Sequence, residues 1–204
     1  ASNIIFKNTN IRSVVIPDPV RFNSFKIFGK FNKPLKACWF GMHTNHDTII
    51  NELVSLNSLD HKISLSIISN SFEKIDAFIK DKNFNNLKIK LINWNKRSDL
   101  EIVNSDVVLL PYPKDEKRLV KSSNRIIESL NLGRFTILSD VDQFSEFKDF
   151  TYFGNISKGI VWFLNNYESA HKITEEGQKY ILNNYSLSNI CDLWIKLFKD
   201  ICGS

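Results

Sequence analysis

The residues most able to do chemistry lie together. Residues 120–140 read VKSSNRIIESLNLGRFTILSD, and the polar group KSSNR stands at the start of an apolar run with helical spacing. Backbone N–H groups at a helix start have no partner inside the helix, and with the helix dipole they favour an anion. Lys121 and Arg125 add two positive charges there. Glu128 follows Arg125 by three residues and Asn124 by four, which puts all three on one helix face. A carboxylate one turn beyond an anion site can accept from two neighbouring hydroxyls while its own charge stays clear of the anion. The pattern fits a nucleoside diphosphate. A helix cap at Ser122 or Ser123 with an Arg125–Glu128 surface pair is the plainer reading. It explains a serine, but less well the gathering of Lys121, Asn124, Arg125 and Glu128.

Two other stretches have chemical potential. GMHTNHD, from Gly41, is short and polar and follows an apolar run. It forms neither GxGxxG nor GxxxxGK[ST], so the usual dinucleotide and P-loop patterns are absent. His43 and His46 lie three apart, but no third ligand stands near enough to complete a metal site. In NWNKRSD, Trp94 can stack on a base and Lys96 and Arg97 can meet phosphate. The alternative is a packed tryptophan beside a solvated basic turn. Asp140-Val141-Asp142 has the letters of a metal-binding carboxylate pair but reads as a turn in the next loop, so neither metal nor cofactor is expected.

The elements that must position these residues alternate. Runs at residues 36–43, 62–69, 106–112, 134–140 and 151–153, and the apolar–polar alternation of residues 87–94, read as strands. Between them, residues 47–59, 71–82, 97–105, 122–132 and 145–150 have helical spacing, with Ser71 as a cap and Gly133 as a stop. After Gly154 the chain reads as helical to its end, with a break around 183–188. There Leu187, Ile190, Cys191, Trp194, Ile195, Phe198 and Ile201 share one face. Strands separated by helices make βαβ units. The expected fold is α/β: a Rossmann-like, doubly wound parallel sheet of about six strands with a helical C-terminus. Residues 1–35 read as an arm or interdomain connector, and 36–204 as the domain.

Composition excludes several classes. A net charge of +5 without a clustered basic stripe gives no nucleic-acid signature. No apolar run approaches the ~18 residues of a membrane span. Cys38, Cys191 and Cys202 have no zinc spacing and read as free buried thiols of a reducing compartment. The chain opens without Met and closes on Gly203-Ser204, which reads as a piece cut from a longer protein.

In sequence order, VIPDPV, a strand ending in FG, SDVVLLPY, RIIESLNLG and RFTILSDV resemble the C-terminal, donor-binding half of GT-B glycosyltransferases, in the retaining group that uses nucleotide sugars. The likeness runs from about residue 14 to the last helix and is strongest over 106–141. It implies that Glu128 holds the donor ribose. It also implies that amides of Ser122, Ser123 and Asn124 hold the diphosphate, and that Trp94 and Asn95 border the base. Gly41 would border the donor, and Lys121 and Arg125 would supply charge for catalysis. The sequence departs from the family where an earlier glutamate falls on Val120, where VKSS replaces a glycine-rich segment, and where a basic pair after the first strands is missing.

The expected function is donor binding in a transferase that moves a sugar from a nucleotide diphosphate to a glycan, lipid or protein acceptor. The expected partners are the donor, that acceptor and a missing N-terminal acceptor-binding domain. The expected place is the cytoplasm, compatible with peripheral association of the parent at the inner face of a membrane in polysaccharide biosynthesis. The other reading is a non-catalytic nucleotide-binding or interaction domain of Rossmann type.

Overall fold

The structure is a computed structural model that describes residues 13–20, 26–30, 33–113 and 121–203. Its centre is a six-stranded, wholly parallel sheet in the order β3-β2-β1-β4-β5-β6. The strands are β1 (Leu35–Phe40), β2 (Ile63–Ser69), β3 (Leu87–Asn93), β4 (Val107–Leu110), β5 (Phe135–Leu138) and β6 (Tyr152–Phe153). The chain moves outward from β1 to β3, then returns to place β4 on the other side of β1, so the order of travel reverses between β1 and β4.

Helices cover both faces at the centre, which is why β1, β4 and β5 are near-continuously buried apolar runs, whereas the edge strand β3 alternates. On one face Leu35, Ala37 and Trp39 of β1 and Val107 and Leu109 of β4 pack with α1 (His46–Asn57), α2 (Glu73–Ile79) and α5 (Ile156–Asn165). On the other, Cys38, Phe40, Val108 and Leu110 pack with α3 (Ser98–Val103), α4 (Asn124–Asn131) and α6 (Tyr167–Asn184). A 3-10 segment, Asp142–Phe150, replaces the expected short helix before β6.

Helix starts differ from expectation in a consistent way. Ser71 caps nothing: α2 starts at Glu73 after Phe72, with no side-chain cap. Ser123 stands at the start of α4, but its side chain caps nothing either. At α2 the residue in the capping position is Phe72, which has no polar side-chain atom to cap with. At α4 the backbone explains it, since a capping side chain needs an extended residue beneath it. Asn155 and Ser186, with ψ of 134° and 153°, do cap α5 and α7 (Leu187–Cys202). Ser123, with ψ of 4°, does not. The stop after α4 is as expected: Gly133 has φ +66°, and a Cβ there would lie 3.0 Å from the Lys26 carbonyl oxygen.

Helix α7 leaves its apolar face open and corrects one expectation, that of the cysteines. Of its apolar stripe only Ile190 is buried; Trp194 and Phe198 stack at 5.8 Å yet remain 46% and 56% exposed. Cys191 and Cys202 are exposed and only Cys38 is buried, because no element among the described residues covers the outer face of α7.

The amino-terminal edge of the sheet is held by Arg134, which is 5% exposed. Its Nε donates to Leu132 O at 3.0 Å, Nη1 to Val103 O at 2.7 Å and to Ser105 O at 3.0 Å, and Nη2 to Lys26 O. One guanidinium thus satisfies carbonyls at the ends of α3 and α4 and in the N-terminal segment. Burial pulls its pKa down to about 10, partly opposed by Asp106. Replacing it by Ala leaves the buried Leu132 and Ser105 carbonyls without this donor. Arg134→Ala is expected to cost about 3–5 kcal/mol in urea unfolding, as for removal of one member of a buried charged network. Arg134→Lys should recover only part, because an ammonium cannot span the same fork.

Candidate functional site

The reversal of strand order opens a crevice outside the carboxyl ends of β1 and β4, where open parallel sheets bind ligands. Arg125 crosses it. Nη1 donates to the carbonyl of Phe40, the last residue of β1, at 3.0 Å. The guanidinium lies 4.8 Å from the Tyr112 ring, just past β4, and 5.8 Å from Trp39. Gly41 makes this possible: a Cβ there would stand 3.1 Å from Arg125 Nη1 and 3.2 Å from the Trp39 ring. Lys121 makes a second tie, donating from Nζ to Asn45 Oδ1 at 2.5 Å, so the entrances to α1 and α4 face each other.

A cleft of about 470 Å³ opens beside this crevice, toward α3. One wall is the loop after β3, with Trp94, Asn95 and Lys96, followed by Asp99. Helix α4 forms another through Asn124, Ile127, Glu128 and Asn131, and residues 18–20 close the third side. The β3–α3 loop is stiff. Asn95 Oδ1 accepts from Arg97 N at 2.8 Å, and Ser98 Oγ accepts from Asn95 N at 2.8 Å. Trp94 is 50% exposed, with its ring 6.4 Å from Phe40 and inclined 27° to it, so it is neither fully packed nor free. A second, smaller cleft of about 220 Å³ lies on the α1 side, lined by Asp47, Asn51, Glu52, Tyr112 and Ser139 among others.

The structure separates two residues that the sequence puts on one face. Glu128 lines the cleft with Asn124, whereas Arg125 turns to the strand ends. Three residues along a helix leave about 60° between side chains, and the long arginine reaches a carbonyl and an aromatic face beyond that angle. The charge that acts on Glu128 is that of Asp99. Burial first, then Asp99, raises the Glu128 pKa above the usual carboxylate range. Ser122 is exposed and Ser123 half-buried at the mouth of α4. Val120 lies outside the described residues.

One wall is missing from the sequence expectation. Asp18 Oδ2 accepts from Asn124 Nδ2 at 2.7 Å, and Val20 N donates to Tyr185 O at 2.9 Å. Residues 16–20, IPDPV, carry its signal: an acidic residue between two prolines is a stiff, extended presenter.

No protein-family model and no curated protein matches the sequence. Solved structures do match in shape. The apo form of the lipopolysaccharide outer core galactosyltransferase WaaB superposes with a TM-score of 0.60 at 14% identity, over 92% of this chain and 56% of that one. AviGT4, a glycosyltransferase involved in avilamycin A biosynthesis, gives 0.59 at 11% identity, over 93% and 58%. The C-terminal CMP-Kdo binding domain of WaaA from Acinetobacter baumannii gives 0.50 at 14% identity, over 72% and 89%. The protein therefore has the fold of a Rossmann-like half of the GT-B glycosyltransferases. It spans little more than half the length of the first two, and identities this low establish the fold alone.

The raised pKa of Glu128 gives a test of this carboxylate. The folded state holds the proton more tightly than the unfolded chain, so stability falls as pH rises from about 4.5 through the folded pKa. Glu128→Gln should therefore melt at a higher temperature than the native chain at pH 7. The difference should disappear below pH 4.5, as read by thermal unfolding across pH.

Proposed function

We propose that this chain is the donor-binding domain of a glycosyltransferase that uses a nucleotide-diphosphate sugar. The observation that carries the reading is the placement of Glu128. A carboxylate held above its ordinary pKa by burial faces an open cleft between an exposed indole and the uncapped start of α4. A carboxylate kept at some cost in stability is retained for what it binds, and paired ribose hydroxyls suit it. Trp94 and Asn95 would border the base. The amides at the start of α4 and the charges of Lys121 and Arg125 would receive the diphosphate. In sugar transfer that same positive end would stabilise the departing diphosphate, the contribution of this half to catalysis.

The rest of the enzyme would supply the acceptor site for a glycan, lipid or protein. Residues 1–35 would connect the two halves, and 36–204 form the nucleotide-sugar domain. We place the parent in the cytoplasm, at the inner membrane face if its product is a surface polysaccharide. No helix among the described residues is long and apolar enough to cross a membrane. The open stripe on α7 would be covered by the missing N-terminal domain. The non-catalytic reading draws on one fact, the valine at position 120 where the resembled family carries a glutamate.

Calorimetric titration with UDP, GDP, CDP and ADP tests the donor site. One should bind saturably, and Lys121→Ala and Glu128→Ala should each weaken it about tenfold, the worth of one charge-assisted hydrogen bond. Binding unaffected by either substitution would count against the site; full binding with no sugar transfer by the whole parent would favour the non-catalytic reading. For α7, changing Trp194 and Phe198 to Ser in this chain should alter its urea stability by less than about 0.5 kcal/mol each, as for exposed positions. In the whole parent the same changes should cost several times more.

A further inference from the structure

The β3–α3 side of the large cleft carries two side chains that the donor reading leaves unused. Lys96, in the turn after β3, and Asp99, in the first turn of α3, both line it. Their neighbours have little left with which to recognise a ligand. Asn95 Oδ1 accepts from Arg97 N at 2.8 Å and its Nδ2 donates to Asn93 O at 3.1 Å, so both ends of that amide are tied into the loop. The backbone N–H of Asn95 goes to Ser98 Oγ, and that of Trp94 to Ser69 O. Asp99 differs. It is half-buried in the cleft wall, and among the described residues no hydrogen bond or ion pair takes up its carboxylate.

The cleft residues follow an order. Asn124 marks the start of α4, where a phosphate would sit, and it already holds Asp18 at 2.7 Å. Glu128 comes one turn further along α4. Asp99 stands beyond it, near enough that its charge acts on Glu128. Trp94, half exposed, shares the Asp99 side of the cleft. A nucleotide with its phosphate at α4 and its ribose on Glu128 therefore brings its base to the Trp94 indole, with the hydrogen-bonding edge toward Lys96 and Asp99. An indole face accepts any base by stacking. The charged pair does not, because an ammonium only donates and a carboxylate only accepts.

We propose that the donor of this chain is a guanine nucleotide sugar and that Asp99 selects its base. The inference rests on the donor-binding reading and names the nucleotide for it. Guanine has an edge that matches the pair: O6 accepts from the ammonium, while N1–H and the 2-amino group both donate to the one carboxylate. Uracil presents a single N–H between two carbonyl oxygens, one of which would oppose the Asp99 carboxylate. Cytosine and adenine set an amino group beside a ring nitrogen that accepts, so they too place a lone pair against it. Two charge-assisted hydrogen bonds to guanine thus stand against one bond and one repulsion for each of the others.

The test is calorimetric titration of the whole chain with the diphosphates of guanosine, inosine, xanthosine, uridine, cytidine and adenosine. GDP should bind about tenfold or more tighter than UDP, CDP or ADP. Inosine diphosphate lacks the 2-amino group and should bind about tenfold more weakly than GDP, the scale of one hydrogen bond to a charged group. Asp99→Asn puts an N–H donor where the 2-amino group needs an acceptor. It should lose about tenfold for GDP and gain about tenfold for xanthosine diphosphate, whose C2 bears a carbonyl oxygen instead. A thermal melt checks that the variant folds. A residue that only shapes the loop would weaken all six ligands alike, and that result overturns the proposal, as does a GDP preference that Asp99→Asn leaves unchanged. Preference of the native chain for UDP, CDP or ADP also overturns it and leaves the donor site standing. If none of the six binds, the donor reading falls and this inference falls with it.

Discussion

A parallel sheet whose chain reverses its direction of travel must open a gap where the reversal occurs, and here that gap lies between β1 and β4. Helix α1 leaves β1 over one face, while α4 leaves β4 over the other. Their entrances therefore stand opposite each other, tied by Lys121 Nζ on Asn45 Oδ1. All the candidate chemistry is set by this divergence: the turn with His43 and Asn45 on one side, Lys121 and Asn124 on the other, and the large cleft beside α4. Any parallel fold with this order would have the crevice. The side chains that bridge it are particular to this sequence.

Arg125 is the most informative of these. A positive charge at the switch point need not be an anion ligand, since a guanidinium can also serve as a strut. Here it does structural work through one nitrogen, on the Phe40 carbonyl, and through its flat face, over Tyr112. An arginine has five N–H donors. A bond through Nη1 leaves the remaining fork on a half-buried group between two clefts. The same residue can therefore fix the spacing of β1 and β4 and still present charge to a ligand. Gly41 belongs to the same arrangement, because a methyl group there would press on that guanidinium.

The sequence reveals the layers well because both faces of every central strand are buried, and runs such as VVLL have no other use. The helix after residue 122 and its stop at Gly133 are equally legible, since a left-handed residue and an apolar stripe leave strong marks. What escapes is directional. Composition does not tell whether a serine beside a helix is extended enough to cap it, and Ser123 is not. Spacing puts Arg125 and Glu128 on one face, yet length and planarity send the arginine elsewhere. Asp18 is more than a hundred residues from Asn124, so no local pattern could pair them. The open face of α7 was visible as a stripe, but a stripe does not say whether its cover is present.

The two edges of the sheet are built to different standards. At the amino-terminal edge, Arg134 answers the ends of two helices, and Asp106 Oδ2 accepts Lys36 N at 2.8 Å. At the carboxyl edge, Trp39 Nε1 and His46 Nδ1 are buried without partners, although their rings meet edge to face at 5.6 Å. Helices α2 and α4 begin uncapped there, and Glu128 and Glu52 are both held above their ordinary pKa by burial. Each of these departures costs stability, and an unpaired buried donor alone costs about 1–3 kcal/mol. Burial has a cost at the other edge too, where Asp106 is held above and Arg134 below its ordinary pKa, but there each charged group has hydrogen-bond partners within the fold; the Trp39 and His46 nitrogens at the carboxyl edge have none.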